Sequence, residues 1–475
     1  MHQDEPDMAS DWAEQEFGSS ALGDARLNAR LKSLAGQLSQ HPTGSLPQAL
    51  REPGALKAAY RFFDHDDVSS ETILAAHIHS TYARMQKHPR VLIVQDTTYF
   101  DYADHPHTSG MGLLQAQGGH GMLMHGVLAI TPQHVPLGVL SARMWARDPA
   151  APPLTGNNAD RPIESKESVK WLDGIAAAQT AQTLCPDTEM IVVADRESDI
   201  HEIYARCVAA GIGFVIRAFR KRRVAGEVPI DLEERLQSAA VLAQQAIAVP
   251  KRKEKKARIA QVQIKAIEVE LMAPTPRKAV AALPAVAPVW AVEVTEIDPP
   301  AGVKPLRWLL LTNIAASDVT SALEIVEWYR ARWGIEVWHR TLKSGCRVEH
   351  RQLQSRERIE RMIALYAIIA WRIMYAALLA RTTPEMACTV LLEQAEWQAL
   401  YCRIHQIPVP CTQPPSLQQV VRWIAKLGGF IGRKSDGEPG SMSMWRGFQV
   451  LYAITDMFKI FHPDPDGNSL AIDDG

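Results

Sequence analysis

The chain has 475 residues, of which 47% are hydrophobic and 22% are charged, so it is long enough for roughly two to four domains around a large core. Its six cysteines stand singly and its N-terminus is polar and acidic, which argues against a zinc or disulfide framework and against a secretory signal. The formal net charge of -2 leaves nucleic-acid binding possible only if the positive charge is concentrated locally.

Residues 9–65 predict a small helical module. Asp11 can cap its first helix, Gly23-Asp24 breaks the first segment, and Ala25 to Leu38 has helical periodicity with Arg26 and Arg30 along it. Helices with arginines on one side can read DNA, although a plain scaffold is the commoner use of such a module.

From Arg90 onward, short apolar runs predict an α/β region. Val91 to Val94 and Met190 to Val193 have the composition of buried strands, and an acid follows each of them, Asp96 and Asp195. The other predicted elements are two hairpin strands, a helix, a further helix and a strand: Gly121 to Thr131, Val135 to Trp145, Glu164 to Gln179, Ile200 to Ala210 and Gly213 to Ile216.

Residues 218–306 predict a β-rich insertion, because they contain several prolines and alternating stretches such as Gln261 to Leu271. Trp308 to Thr312 returns to a core strand, and Ser317 to Ser344 predicts a long helix. Met362 to Leu379 is the most apolar helix of the chain. Because Arg372 interrupts it, it predicts a buried core helix and not a membrane span.

Positive charge is concentrated in three basic clusters. They extend over Arg217 to Arg223, Lys251 to Arg258 and Arg340 to Arg351. Runs of charge are usually solvated surface, so the clusters support nucleic-acid binding without establishing it.

The helix predicted over Ser317 to Ser344 carries a polar stripe. At about 100° per residue, four of its residues fall within roughly 60°: Tyr329, Arg332, Glu336 and Lys343. Three donors around one acid suit a site that holds a nucleic-acid phosphate next to a metal ion. Taken alone, a solvated face with an Arg332–Glu336 pair is the commoner meaning of such a pattern.

Asp96 and Asp195 can converge at one edge of a sheet, with Glu336 on a helix packed beside it. Three carboxylates can hold two divalent cations about 3.5–4 Å apart, which activate a nucleophile and stabilise the leaving oxygen of a phosphoryl displacement. Mg²⁺ and Mn²⁺ prefer such oxygen ligands. A single acid after a strand is common turn chemistry, so the coincidence of two such acids with the polar helix favours a metal site.

Short motifs follow one another along most of the chain. In order they are Asp11-Trp-Ala, Ala21-Leu-Gly-Asp-Ala-Arg26, Ala59-Tyr-Arg-Phe62, Asp96-Thr-Thr98, Lys166-Glu-Ser-Val-Lys-Trp-Leu172, Asp195-Arg-Glu-Ser-Asp-Ile200, Trp308-Leu-Leu-Leu-Thr312, the Tyr329–Lys343 stripe and Leu427-Gly-Gly-Phe430. In this order they closely resemble the motifs of DDE transposases of the IS-four family. Only the insertion and residues 380–415 match poorly.

The resemblance implies a role for each residue of the predicted site. Asp96, Asp195 and Glu336 match the family's metal-binding catalytic acids. The family residues that hold the phosphate of the non-transferred strand correspond to Tyr329, Arg332 and Lys343.

Further DNA contacts are also implied by the resemblance. Arg217 matches a phosphate-contacting arginine, and Trp308 matches an aromatic residue associated with the hairpinned transposon end. Core packing is an almost equally good interpretation of a strand tryptophan, although an extruded base does need a stacking partner. Three arginines of the N-terminal module are implied to contact transposon DNA: Arg26, Arg30 and Arg61. Gly334 departs from the family pattern, and we interpret it as a close approach of DNA or of another helix.

The fold that the resemblance implies is α/β, with a ribonuclease-H-like, five-stranded mixed sheet that carries the β-rich insertion. The implied domains are a helical transposon-end DNA-binding domain (1–70), a catalytic domain (71–385, with the insertion at 218–306) and a helical C-terminal dimerisation domain (386–475).

The implied function is cut-and-paste DNA transposition with two Mg²⁺ ions per active site, for which Mn²⁺ can substitute, and with no small-molecule cofactor. The implied partners are double-stranded DNA, both transposon inverted ends and target, and a second copy of the chain in the end complex. No membrane is involved, and the expected location is the bacterial cytoplasm at the nucleoid. Two alternatives stay open: a stand-alone metal-dependent nuclease on the same fold, and a catalytically silent DNA-binding regulator.

Overall fold

The structure is a computed structural model that describes residues 12–114, 118–150, 161–249, 258–274, 284–433 and 436–462. The predicted cap Asp11 and most of the second basic cluster, Lys251 to Lys256, lie outside the described residues. The described part contains one long mixed sheet with helices packed on it.

The N-terminal region is helical, as predicted. Its helices are α1 (Trp12–Phe17), α2 (Ala25–Gln40), α3 (Leu46–Ala49), α4 (Pro53–Asp64) and α5 (Ser70–Met85). Asp24 caps α2, because its side chain accepts a hydrogen bond from the backbone amide of Arg26 at 2.7 Å. Leu31, Leu34 and Leu38 recur every three to four residues in α2 and are all buried, so one face of the helix packs inward.

The first five strands form a ribonuclease-H-like sheet, which confirms the predicted fold class. The strands are β1 (Arg90–Asp101), β2 (Gly121–Ile130), β3 (Pro136–Trp145), β4 (Glu189–Ala194) and β5 (Gly213–Arg217). Their spatial order is β3-β2-β1-β4-β5, antiparallel as far as β1 and parallel from β1 to β5. Helix α6 (Leu172–Leu184) precedes β4, and α7 (His201–Ala209) connects β4 to β5.

The sheet continues beyond these five strands, so the expectation of a five-stranded sheet is wrong. The insertion adds helix α8 (Leu232–Gln237) and the strands β6 (Arg223–Val224), β7 (Ile230–Asp231), β8 (Val241–Val249), β9 (Arg258–Leu271) and β10 (Val286–Glu296), and β11 (Arg307–Thr312) follows it. Beyond β5 the order is β11-β10-β9-β6-β7, with β8 paired to β9, so the described sheet has 11 strands. The reason is that β11 pairs with both β5 and β10 and so joins the insertion to the core sheet.

The long helix predicted over Ser317 to Ser344 is divided, so the expectation of one continuous helix is wrong. Helix α9 (Val319–Ala331) ends at Ala331, Arg332 links it to α10 (Trp333–Arg340), and a π-helical turn (Thr341–Gly345) completes the segment. Gly334 lies in the first turn of α10, where it lowers the helix propensity by about 1 kcal/mol relative to alanine.

Four α-helices follow in the described chain: α11 (Arg356–Thr382), α12 (Gln394–His405), α13 (Leu417–Leu427) and α14 (Ser441–Phe461). By length and composition α11 could cross a membrane, but 83% of its most apolar window is buried inside the protein. The prediction of a buried core helix is therefore confirmed.

The sheet separates two hydrophobic cores. On β1, Leu92 and Val94 belong to the core that contains Trp338 of α10, whereas Val91 and Ile93 belong to the opposite core. Alternate side chains of a strand point to opposite faces. Even-numbered and odd-numbered residues of this stretch of β1 therefore face different sets of helices.

A buried polar network ties α1 and α5 to β3, a strand at the end of the sheet. Glu16 accepts hydrogen bonds from Nη1 of Arg84 at 2.7 Å and from Nδ1 of His77 at 2.6 Å. The Nε2 atom of His77 accepts from the backbone amide of Val139 at 2.9 Å, and Nε of Arg84 donates to the carbonyl oxygen of Leu137 at 2.6 Å. The network thus satisfies two backbone groups of an edge strand.

This network keeps Glu16 ionised and His77 neutral. Burial by itself raises the pKa of Glu16, but His77 and Arg84 outweigh it and lower that pKa from 4.5 to about 2. Burial lowers the pKa of His77. The neutral ring is also the form that the geometry requires, because its Nε2 atom faces an N–H donor.

Glu16→Gln is expected to destabilise the fold at neutral pH by about 3 kcal/mol, because Arg84 then loses its buried charged partner. The folded-state pKa of Glu16 is depressed, so its stabilisation is present above about pH 4.5 and is lost as the pH falls toward 2. Urea unfolding at pH 7 and at pH 3 measures the difference, which should be smaller at pH 3. Glu14→Gln, which removes the solvent-facing pair with Lys32, is the control and should change little. Equal destabilisation at both pH values would contradict this account.

Candidate active site

Asp96 and Asp195 occupy equivalent positions on neighbouring parallel strands. β1 and β4 pair from Arg90↔Glu189 to Val94↔Val193, at a constant offset of 99 positions. The same offset separates Asp96 from Asp195, so each lies two residues beyond the last pair on its strand. Asp195 follows its strand as predicted. Asp96 does not, because β1 continues to Asp101 and pairs Asp96 with Gly126 of β2.

Both aspartates face the same side of the sheet. Asp96 lies two and four residues after Val94 and Leu92, and Asp195 lies two and four residues after Val193 and Ile191, so each aspartate shares a face of the sheet with those residues. These four apolar residues lie in the core beneath α9, α10 and α11. The strand alternation therefore directs both carboxylates toward the helices that carry the predicted polar stripe.

Tight packing against β2 positions the third acid, Glu336. Trp338, two residues after it in α10, is fully buried and donates from its indole nitrogen to the carbonyl oxygen of Ala367 at 2.9 Å. A Cβ atom at Gly126 would come within 2.4 Å of this indole ring. Since Gly126 is the register partner of Asp96, only a glycine there lets α10 approach closely enough to bring Glu336 beside Asp96.

Gly334 also marks a close approach, but not to DNA or another helix as we expected from the sequence. A Cβ atom there would lie 2.8 Å from Cδ1 of Ile130, a side chain of β2. The close neighbour is therefore the sheet on which α10 packs.

Arg332 lies between two of the acids. Its Nη2 atom donates to Oε1 of Glu336 at 2.5 Å, and its Nη1 atom lies 3.5 Å from Oδ2 of Asp96. Burial raises the pKa of Asp96 to about 7; Asp195 and Glu336 add to this rise, and Arg332 and the amide of Thr97 oppose it. The two other acids therefore lie close enough to Asp96 for their charges to act on it.

The donor set suits a divalent cation, although it is not arranged as a metal cage. In the described part of the chain, no group of three or more His, Cys, Asp or Glu side chains is placed to hold a metal ion as it stands. Backbone amides of Thr97 and Glu197 each hold one carboxylate oxygen, of Asp96 and Asp195 respectively, at 2.8 Å. The guanidinium of Arg332 supplies the positive charge between Asp96 and Glu336. Hard carboxylate oxygens are the ligands that Mg²⁺ and Mn²⁺ take.

Tyr329 and Trp308 lie next to this arginine. Their rings pack edge to face with centroids 5.3 Å apart, and the Arg332 guanidinium lies 5.8 Å from the Tyr329 ring. Tyr329 is buried, whereas Trp308 in β11 is only half-buried. The two aromatic residues and the arginine thus form one contiguous group beside the acids.

Lys343 contacts residues other than the three acids. It follows α10 in the π-helical turn, where its Nζ atom is 3.7 Å from Glu349 and 4.1 Å from the centre of the Tyr99 ring. Tyr99 and Glu349 were not predicted as neighbours of the site. No local sequence signal identifies them, because β1 was expected to end before Tyr99.

Arg217 is the counterpart of Asp195 on the next strand. β4 and β5 pair from Ile191↔Gly213 to Ala194↔Ile216, and one further step at the same register aligns Asp195 with Arg217. The Arg217 side chain donates to the carbonyl oxygen of Arg307 at 3.0 Å.

The three predicted arginines of the N-terminal region lie elsewhere, on the first helices of the chain. Arg26 and Arg30 belong to α2 and Arg61 to α4. Arg26 and Arg61 are exposed and Arg30 is half-buried. Helix α2 packs on α1, α4 and α14, and α4 packs on α2 and α11, so these arginines belong to the helical region and not to the strands that position the two aspartates.

Comparison with known protein families gives three matches in chain order. Residues 9–68 match the model of the transposase DNA-binding domain. Residues 156–372 match the transposase DDE domain, and residues 368–459 match the transposase Tn5 dimerisation domain. The DDE match includes Asp195 and Glu336 but begins after Asp96. The dimerisation match begins within α11, earlier than the expected boundary at residue 386.

These matches, with the fold, define an enzyme that acts on DNA, a DDE transposase. A DDE domain implies dependence on a divalent metal, and the flanking domains bind DNA and form dimers. More narrowly, the chain is a Tn5-like DDE transposase, which confirms the family expected from the motifs.

Gly126→Ala is expected to lower the free energy of unfolding by about 1–3 kcal/mol, because the added Cβ atom must displace the rigid indole of Trp338. Metal-dependent DNA cleavage should also fall, since Glu336 moves with α10. Gly334→Ala is the matched control, because it meets only the flexible end of Ile130 and gains about 1 kcal/mol in helix propensity. Urea unfolding and cleavage assays measure both variants. Wild-type stability and cleavage in Gly126→Ala would show that this packing does not position the site.

Proposed function

We propose that this transposase carries out cut-and-paste transposition by two-metal phosphoryl transfer at Asp96, Asp195 and Glu336. The observation that carries the proposal is the shared register and shared face of the two aspartates, beside the helix that bears the glutamate. The raised pKa of Asp96, to which both other acids contribute, supports their convergence.

Two Mg²⁺ ions, replaceable by Mn²⁺, would supply activation of the nucleophile and stabilisation of the leaving oxygen. The carboxylates of Asp96, Asp195 and Glu336 would hold them. Once cations balance the charge of the acids, the guanidinium of Arg332 is available to a DNA phosphate, with which it can form a bidentate pair.

The proposed reaction starts with water attack at each transposon end, which frees a 3′ hydroxyl. As the family resemblance implies, this hydroxyl attacks the opposite strand and forms a hairpin. A second water opens the hairpin, and the 3′ hydroxyls then join the two ends to target DNA. In each step an incoming oxygen, from water or from a 3′ hydroxyl, forms a new P–O bond in line with the P–O bond that breaks, and the displaced 3′ oxygen leaves as a hydroxyl. Water steps therefore leave a 5′ phosphate and 3′-hydroxyl steps leave a new phosphodiester, so one set of carboxylates can serve all of them.

We assign the polar residues beside the acids to DNA. Tyr329, Arg332 and Lys343 would hold the phosphate of the non-transferred strand, and Arg217 would hold another. The edge-to-face contact between Trp308 and Tyr329 is consistent with core packing, but the half-exposed indole leaves a surface on which an extruded base can stack.

The proposed domain division follows the expected boundaries, 1–70, 71–385 and 386–475. Arg26, Arg30 and Arg61 in the first domain would contact the double-stranded inverted ends, and target DNA would bind at the catalytic domain. The last domain would hold two copies together in the end complex. Exposed apolar side chains at the end of α14, Met457, Ile460 and Phe461, support an interface there. The bacterial cytoplasm, at the nucleoid, is the proposed location.

Replacing any one acid (Asp96→Asn, Asp195→Asn or Glu336→Gln) is expected to lower end cleavage at least ~100-fold in Mg²⁺, because each removes a charged metal ligand. The substrate is a duplex with the inverted repeats that flank the gene, located by footprinting. Glu189→Gln, at the opposite end of β4, removes an acid that pairs with Arg90 and should cleave normally. Full activity in any of the first three variants would refute the metal assignment.

A strand-transfer gel separates transposition from the two alternatives. A stand-alone nuclease cuts DNA without forming joined products, and a silent regulator shifts DNA in a gel without cutting it, even in Mn²⁺.

Arg332→Ala and Lys343→Ala should weaken end-complex assembly or reduce the hairpin yield by roughly tenfold or more while the fold stays intact, because each removes a cation from a phosphate site. Arg330→Ala is the control, because Arg330, at the end of α9 two residues before Arg332, pairs with Glu327 at 2.5 Å. Gel shift and hairpin product on a nicked end are the measurements. An unchanged hairpin yield and unchanged assembly in both variants would count against the phosphate role.

A further inference from the structure

An exposed aromatic ring lies at the same end of the sheet as the acids. Phe219 is 71% exposed, although a phenylalanine normally buries most of its ring. It follows β5 by two residues, in the loop that begins at Ala218. The parallel strands β4 and β5 end side by side, so this loop lies next to the turn that contains Asp195.

A buried carboxylate holds the backbone of this loop in place. Asp199 is fully buried, and its Oδ2 atom accepts from the backbone amides of both Phe219 and Arg220 at 2.6 Å. Its Oδ1 atom accepts from the hydroxyl of Tyr204 at 2.7 Å and from the guanidinium of Arg222. Two amides and two side chains therefore fix the position from which the Phe219 ring projects into solvent.

One cation lies over the ring and two more follow it in the chain. The guanidinium of Arg196, the residue directly after Asp195, lies 5.4 Å from the centre of the Phe219 ring. Arg220 and Lys221, which follow Phe219, are both exposed. An exposed ring with a guanidinium over it and two exposed cations next in the chain attracts a partner that offers both a π surface and negative charge, and an unpaired nucleotide offers both.

The proposed path of DNA over the acids supplies such a nucleotide. Arg217, opposite Asp195 in the register, lies two residues before Phe219 on the same strand end. A DNA strand whose phosphates contact the acids and Arg217 therefore passes close to the Phe219 ring.

We propose that Phe219, with Arg196 beside it, forms a stacking subsite for a base next to the cleaved phosphate. This inference rests on the proposed function, since it places DNA over Asp96 and Asp195. The ring would hold one unpaired base near the cut, and Arg196, Arg220 and Lys221 would hold the adjoining phosphates.

The test is a double-mutant cycle between the ring and the base. The DNA is a pre-cleaved duplex that ends in the protein's own terminal repeat. It is used with all its bases present, called here the intact duplex, and as a series in which one of the last few nucleotides of either strand is abasic. Phe219→Leu removes the aromatic face but keeps an apolar side chain, and Phe219→Trp keeps a ring. Val228→Ala, at a residue of the insertion that is 72% exposed, is the control.

Phe219→Leu is expected to weaken binding of the intact duplex by roughly 5- to 100-fold, the range of a single base stack. At one abasic position wild type and Phe219→Leu should bind equally, because the stack is already lost there. Phe219→Trp and Val228→Ala should bind the intact duplex like the wild type.

Wild-type binding by Phe219→Leu, or the same loss at every abasic position, would overturn the stacking role. Asp96→Asn separates the two proposals. It tests cleavage without touching the ring, so a failed cycle with an inactive Asp96→Asn removes only the stacking subsite. Normal cleavage by Asp96→Asn removes the proposed function itself.

Discussion

The site depends on the convergence of three carboxylates in a half-buried place, which is unfavourable unless positive charge accompanies them. The parallel register of β1 and β4 brings Asp96 and Asp195 together, and α10 adds Glu336. Arg332 is the cation that now balances Asp96 and Glu336. Even so, the pKa of Asp96 stays near 7 in the folded protein, well above its value of 3.8 in an unfolded chain. The free energy of unfolding therefore falls as the pH rises from about 4 to about 7. Metal ions would relieve that loss of stability.

Much of the surrounding packing holds this arrangement in place. Gly126 leaves room for Trp338 directly beside Asp96, and the indole is in turn hydrogen-bonded to α11. Arg332, between α9 and α10, contacts Asp96 and Glu336, while Lys343, in the π-helical turn, contacts Tyr99 and Glu349. The candidate site thus has an acidic centre and a separate cation, Lys343, an arrangement that under the proposed function suits a strand extending past the cleaved bond.

The sequence predicted the parts that depend on local pattern. Apolar runs identify the strands that position the two aspartates, and the break at Gly23-Asp24 identifies the start of α2 at Ala25. The extension of β1 past Asp96 was missed, because the polar residues Gln95 to Thr98 resemble a turn and are strand only through their pairing with β2. The count of strands was wrong for the same kind of reason, since the pairing of β11 with both β5 and β10 is a long-range contact. The hydrogen bonds of Asp199 to the loop after β5 were also missed, although Asp199 belongs to the motif Asp195-Arg-Glu-Ser-Asp-Ile200. The amides that donate to it lie about 20 residues further along the chain.

The most direct test is to locate the metal itself. Anomalous diffraction from crystals of the protein bound to its cleaved ends in Mn²⁺ would show where the cations bind. The account predicts two manganese peaks held by carboxylate oxygens of Asp96, Asp195 and Glu336, with Arg332 turned from the acids to a DNA phosphate. Manganese bound to other residues, with Arg332 still bridging Asp96 and Glu336, would contradict it.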